Sequence, residues 1–111
     1  MAYDEHLAER VRDLLAAEDG VREQRMFGGL SFLIGGHLAV AVSSRGGLLV
    51  RVGQDGFDAA LERPGATPME MGGRLMKGWV FVDPAELAGK RRLGAWVARG
   101  VRFARSLPPK A

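Results

Sequence analysis

Leu30-Ser31-Phe32-Leu33-Ile34-Gly35-Gly36-His37-Leu38-Ala39-Val40-Ala41-Val42 is the stretch that decides the fold class. Its two apolar runs are too short for packed helices, and a glycine pair between them supplies the positive φ angles of a tight hairpin. Successive side chains of a strand point to opposite faces of the sheet. Leu30, Phe32 and Ile34 therefore share one face, and Ser31 and Leu33 share the other, which Ala39 and Ala41 continue across the hairpin. The pattern predicts an antiparallel sheet with one strongly apolar face and a second apolar face of smaller residues.

Working outward, residues 21–26 read as a mixed, polar edge strand. Before them, Leu7, Val11, Leu14 and Leu15 recur at the spacing of one helical face over residues 4–17. Asp4 can cap that helix and Gly20 can stop it. Downstream, a strand over 48–52 follows Gly46-Gly47 and places Leu49 and Arg51 on the second face. A short helix over 54–62 buries Phe57, Ala60 and Leu61. Strands over 67–71 and 79–82 come next, joined by a predicted loop over 72–78. Asp83-Pro84 is a helix-start signal, a capping acid before proline. A turn to Leu87 leads into a last helix over 90–107, which Pro108-Pro109 ends. The expectation is an α+β fold, a single domain spanning 1–111, with one antiparallel sheet of five to six strands and helices segregated around it.

With 47% hydrophobic and 26% charged residues, the 111-residue chain falls among ordinary globular domains rather than disordered or membrane-spanning ones. Cysteine is absent, which removes disulfides, thiolate catalysis and cysteine-ligated zinc together and suits a reducing compartment. The start, MAYDEHLAER, has neither the basic opening nor the apolar run of a signal peptide. Apolar stretches are short and broken by glycine, so no membrane span is predicted and the expected location is cytoplasmic.

Histidine, the usual general base, occurs twice, at His6 on an exposed helix face and at His37 in a hairpin. Neither has a carboxylate or a second histidine at ligand spacing. Ser31, Ser43 and Ser44 lie in no nucleophile-elbow context. Asp4, Glu5, Glu9 and Asp13 form an acidic helix face without the loop spacing of a calcium site. Gly72-Gly73-Arg74-Leu75-Met76-Lys77-Gly78 lacks the order of a P-loop and precedes a strand, not a helix. The expectation is a protein with no catalytic residues, no metal and no cofactor.

The run Arg25-Met26-Phe27-Gly28-Gly29-Leu30-Ser31-Phe32, then Gly36-His37-Leu38, then the strand bearing Arg51, then Met76-Lys77-Gly78-Trp79-Val80-Phe81, resembles the N-terminal domain of the TfoX/Sxy competence regulators. The resemblance covers nearly the whole chain. It implies a secretion-chaperone-like fold in the order α-β-β-β-α-β-β-α and a regulatory, non-enzymatic role in gene expression. Family regulators carry a second helical domain after this one; with the sequence ending at Ala111, the expectation is a stand-alone short member. The resemblance places Arg25, Arg51 and Lys77 within the recurring motifs, as candidate contacts for an anion or a partner. The competing reading pairs Arg25 and Arg51 with Glu23 and Glu70, or leaves them over exposed sheet.

Charge is unevenly spread. Residues 1–23 hold seven acids against three bases, and residues 84–111 hold seven bases against Glu86 alone. At 100° per residue, Leu93, Trp96, Val97, Gly100, Val101, Ala104 and Leu107 fall on one arc of the last helix, and Arg91, Arg92, Arg99, Arg102 and Arg105 on the opposite arc. The guanidinium fork matches phosphate oxygens. Five such contacts would give weak, non-specific nucleic-acid binding with a log–log salt slope of about −4 to −5. The face can equally be solvated or meet the acidic first helix of a neighbouring subunit. The partners expected are thus a protein or a second copy of the chain, with nucleic acid as a weak alternative. A homodimer on the second sheet face follows if the helices leave that face uncovered. A peptide-holding, chaperone-like dimer is the alternative function.

Overall fold

A computed structural model describes residues 3–26 and 28–109. Helix α1 (Glu5–Leu14) starts where Asp4 accepts a hydrogen bond from the Leu7 N–H at 3.1 Å, and it buries Leu7, Ala8 and Val11. Strands β1 (Val21–Met26), β2 (Gly29–Ile34), β3 (His37–Val42) and β4 (Leu48–Arg51) follow. Helix α2 (Gly53–Leu61), strands β5 (Ala66–Met71) and β6 (Arg74–Val82), a 3-10 turn at Pro84–Leu87 and helix α3 (Lys90–Arg105) complete the chain. Asp83 opens the 3-10 turn by accepting from the Ala85 N–H at 2.9 Å. The six strands form one antiparallel sheet in the order β1-β2-β3-β4-β6-β5, an α+β architecture. Four strands precede α2, one more than the order implied by the family resemblance. The polar β1 pairs with β2 along all six of its residues.

Two local readings change. The glycine-rich stretch expected as a loop is mostly strand: Gly72 and Gly73 make the turn, Met71 already pairs with Arg74, and β6 runs from there. Ala39 does not lie on the second face. A bulge sets Phe32 opposite Val40 and Leu33 opposite Leu38, so Ala39 is the inserted residue. A bulge shifts side-chain alternation by one position. Leu38 takes the second face, and Ala39 joins the main core.

That core lies between the helices and the first face. Phe32, Val40, Val42, Leu48, Val50, Val80 and Val82 are buried there with Val11, Leu87, Leu93, Trp96 and Val97. Helix α3 lies across β2, β3 and β4, and α2 against β5 and β6. Gly100 sets the spacing of α3, because a β-carbon there would stand 2.4 Å from the Ala39 carbonyl oxygen. Arg10 ties α1 to the 3-10 turn through the carbonyls of Leu87, at 2.8 Å, and Ala88, at 3.2 Å.

The second face differs from its expectation. Ser31, Leu38, Ala41 and Leu49 are buried although no helix covers them. Met69 and Trp79, from β5 and β6, pack onto Leu38, Ala41 and Leu49. A second register irregularity, between Pro68 and Glu70, bends β5 as the first bends β3. The sheet thus curls over its own small residues, which removes the open apolar face on which a dimer was expected. Among the described residues, Leu75 is the large hydrophobic side chain left exposed.

Candidate anion-binding groove

Helix α3 turns Leu93, Trp96, Val97, Gly100 and Ala104 to the core, so its arginines point away from the sheet. The structure divides them. Arg105 is held by Glu18, at 3.1 and 2.8 Å, and by the Asp19 carbonyl at 2.9 Å. Arg92 is paired with Glu86. Arg99 and Arg102 make no ion pair among the described residues and line a cavity of about 470 Å³ together with Phe103, Ser106 and residues 52–56. The Arg99 guanidinium also lies 5.3 Å from the centroid of the Trp96 ring. There it borders a second cavity of about 350 Å³, shared with Arg63, Arg91, Arg92 and Glu86. The two hollows meet at Arg99 and make a basic groove along α3.

The other wall of the groove is the first turn of α2. Its cap residue, Val52, offers no side-chain acceptor to the opening N–H groups. Gly53 has φ +80°, and a β-carbon there would meet the Phe103 ring at 2.5 Å, so only glycine brings α2 this close to α3. Asp55 is the one carboxylate on the wall of the larger cavity. Two guanidiniums against one carboxylate leave the hollow net positive.

Arg51, at the end of β4, is wedged between two aromatic rings, 5.2 Å from the centroid of Trp79 and 5.0 Å from that of Phe103. Cation–π contact of this kind fixes a guanidinium while leaving its N–H groups available. Phe103 belongs both to this stack and to the cavity wall, so Arg51 is coupled to the groove through one ring.

Of the residues singled out from sequence, Arg99 and Arg102 converge on the groove and Arg51 adjoins it. Arg105 stands on the same helix but is committed to Glu18. Arg25 is exposed on edge strand β1, and Lys77 is exposed on β6; neither reaches the groove. Glu23, weighed as a partner for Arg25, pairs with Arg12 instead, at 2.6 and 2.8 Å. That bidentate hydrogen bond holds the Glu23 carboxyl below its usual range, against a smaller opposing effect of burial, and raises the Arg12 guanidinium further. Phe103 and Arg63 were not singled out. Phe103 falls between the two arcs of α3, and Arg63 is distant in sequence, so helical spacing carries no signal for either.

His37 donates from Nε2 to the Pro108 carbonyl at 2.6 Å, which occupies its ring in holding the C-terminal segment. Among the described residues no three histidine, aspartate or glutamate side chains cluster as metal ligands, and no helix is long and apolar enough to cross a membrane.

Residues 13–104 match the TfoX N-terminal domain family, a stretch that runs from the end of α1 through the whole sheet to the end of α3. The chain belongs to that family. Within a TfoX N-terminal domain, the Met-Phe-Gly-Gly element sits at the β1–β2 turn, with Phe27 outside the described residues, and the element bearing Lys77 and Trp79 is β6. No curated protein and no solved structure matches the chain.

Proposed function

We propose that this TfoX N-terminal domain is a non-enzymatic, cytoplasmic binding module of a regulatory kind, and that it contacts the phosphate backbone of nucleic acid through the groove between α2 and α3. Family membership supports the regulatory part. The observation behind the contact is the division of the α3 arginines: Arg92 and Arg105 are neutralised, whereas Arg99 and Arg102 face one hollow without a carboxylate bonded to them. With Arg91 also unpaired among the described residues, about three phosphates are neutralised rather than five, and the log–log salt slope on duplex falls to about −3. The arginine face of α3 carries no asparagine or glutamine, so its contacts are to the backbone rather than to base edges; Gln54 of α2 is the amide side chain on the groove wall.

Titration of labelled duplex at several salt concentrations tests this. Wild type should bind with that shallow slope, and Arg99→Ala with Arg102→Ala should abolish most of the binding. Arg105→Ala should change it little, because that arginine is already paired. Absence of wild-type binding at low salt would remove nucleic acid and leave a protein partner. A peptide-holding role finds little support in the geometry, since the curled face keeps a hollow of only about 80 Å³ near Met26, Leu49, Met69 and Phe81.

A further inference from the structure

The sheet has two free edges, and they are built differently. Edge strand β5 carries Pro68 and a register slip beside it, both of which spoil an edge as a template for another strand. Edge strand β1 has neither. Its six residues, Val-Arg-Glu-Gln-Arg-Met, pair in unbroken register with β2 on one side, and their four central side chains are exposed. The outward N–H and C=O groups of such a strand can accept a further strand.

We propose that β1 pairs antiparallel with β1 of a second copy of this chain, with Gln24 opposite Gln24, so that two sheets join into one. Symmetry and charge together select that register. A two-fold axis that joins two antiparallel edges in one sheet stands perpendicular to it and keeps each residue on its own face. Because faces alternate along the strand, the axis must pass beside a residue that opposes itself. Centring on Arg22 or Arg25 sets arginine against arginine, and centring on Glu23 sets glutamate against glutamate. Like charges directly opposite are unfavourable. Centring on Gln24 avoids every such clash. It sets Glu23 against Arg25 of the second copy twice over, Arg22 against Met26 twice, and one glutamine amide against another.

Glu23 already binds Arg12, but an ionised carboxylate has about four acceptor positions, so it can take a second guanidinium from across the edge. Arg25, which has no ion pair within the chain among the described residues, gains its partner in this way. Both hydrophobic clusters stay within each copy, so the contact does not draw on the curled face.

Light scattering at on the order of 100 µM chain should give the mass of a dimer, a concentration suited to a modest interface. Arg25→Glu places like charges opposite one another at two points and should weaken the dimer by about tenfold or more, with the unfolding temperature nearly unchanged because the side chain is exposed. Register is read by oxidation, since the chain has no cysteine of its own. Gln24→Cys should form a covalent dimer, because opposed residues of paired strands fall within disulfide reach. Arg22→Cys should not. A monomeric wild type, a dimer indifferent to Arg25→Glu, or cross-linking of Arg22→Cys in place of Gln24→Cys would each overturn the proposal.

Discussion

The two faces of the sheet bury similar kinds of residue by different means. On the helix-covered face, Phe32, Val40, Val42, Val50 and Val80 meet the apolar arcs of α1, α2 and α3, and each is fully enclosed. On the other face no helix arrives. Leu38, Ala41 and Leu49 are enclosed under Met69 and Trp79 from the same sheet, and Ser31 beside Ala41 is buried as well. Curvature therefore does for the second face what a helical layer does for the first, and an apolar strand face does not by itself announce an interface.

The largest expected effect lies on the first face. Phe32→Ala removes a fully enclosed ring and should cost about 3–5 kcal/mol in urea unfolding. Leu49→Ala, on the curled face, should fall at or below the low end of the aliphatic range, about 2 kcal/mol, because the partly exposed Met69 and Trp79 can settle into the space. Equal losses at the two positions would break the contrast. Next is Gly100→Ala, which forces α3 away from the Ala39 carbonyl and should cost about 1–3 kcal/mol. It displaces α3 directly, so Trp96 fluorescence should shift more than that of Trp79, which α3 reaches only through Phe103 and Arg51, a difference that single-tryptophan variants can resolve.

A smaller effect of opposite sign belongs to the curled face. The Ser31 hydroxyl is fully buried and has no hydrogen-bond partner among the described residues. Ser31→Ala should therefore leave stability unchanged or raise it by about 1 kcal/mol, measured as a midpoint shift in urea. A clear loss would mean that the hydroxyl is satisfied and the face wetter than its packing indicates.

The smallest effect concerns the Arg12–Glu23 pair at the rim of the helical layer. Both side chains are more than a third exposed, so Glu23→Gln should cost less than about 1 kcal/mol at neutral pH. Glu23 has a folded pKa below its ordinary value of 4.5, so its contribution is present above about that pH. It is lost as pH falls through the lower folded value, where the proton binds the unfolded chain more readily. Wild type and Glu23→Gln should thus converge in stability as acid is added.

Much of the fold was legible from local sequence. The Gly35-Gly36 hairpin, the Asp4 and Asp83 caps and the apolar arc of α3 all depend on neighbours within a few residues, and each formed where its residues indicated. The bulge at Ala39 was not legible, because no local residue pattern marks it and its surroundings include Gly100 of α3, some sixty positions away. The β6 extension was hidden because glycine and charged residues in 72–78 mimic a loop until β5 supplies a ladder for them. Arginine periodicity on α3 was plain in the sequence, but which arginines were already spent on carboxylates was not. Glu18 lies in the turn after α1, and only the folded chain carries it to Arg105.

By itself, then, the sequence determined the element types outside residues 72–78, the strand faces outside the bulge, the basic side of α3 and the family, since all of these follow from periodicity, turn chemistry and motif. Tertiary structure alone decided that the second face closes, that Arg51 lies between Trp79 and Phe103, and that Arg99 and Arg102 share a hollow with the start of α2. The physical reason is reach. Local rules act over one or two turns of chain, whereas curvature and charge pairing depend on which distant segments the packed core brings together.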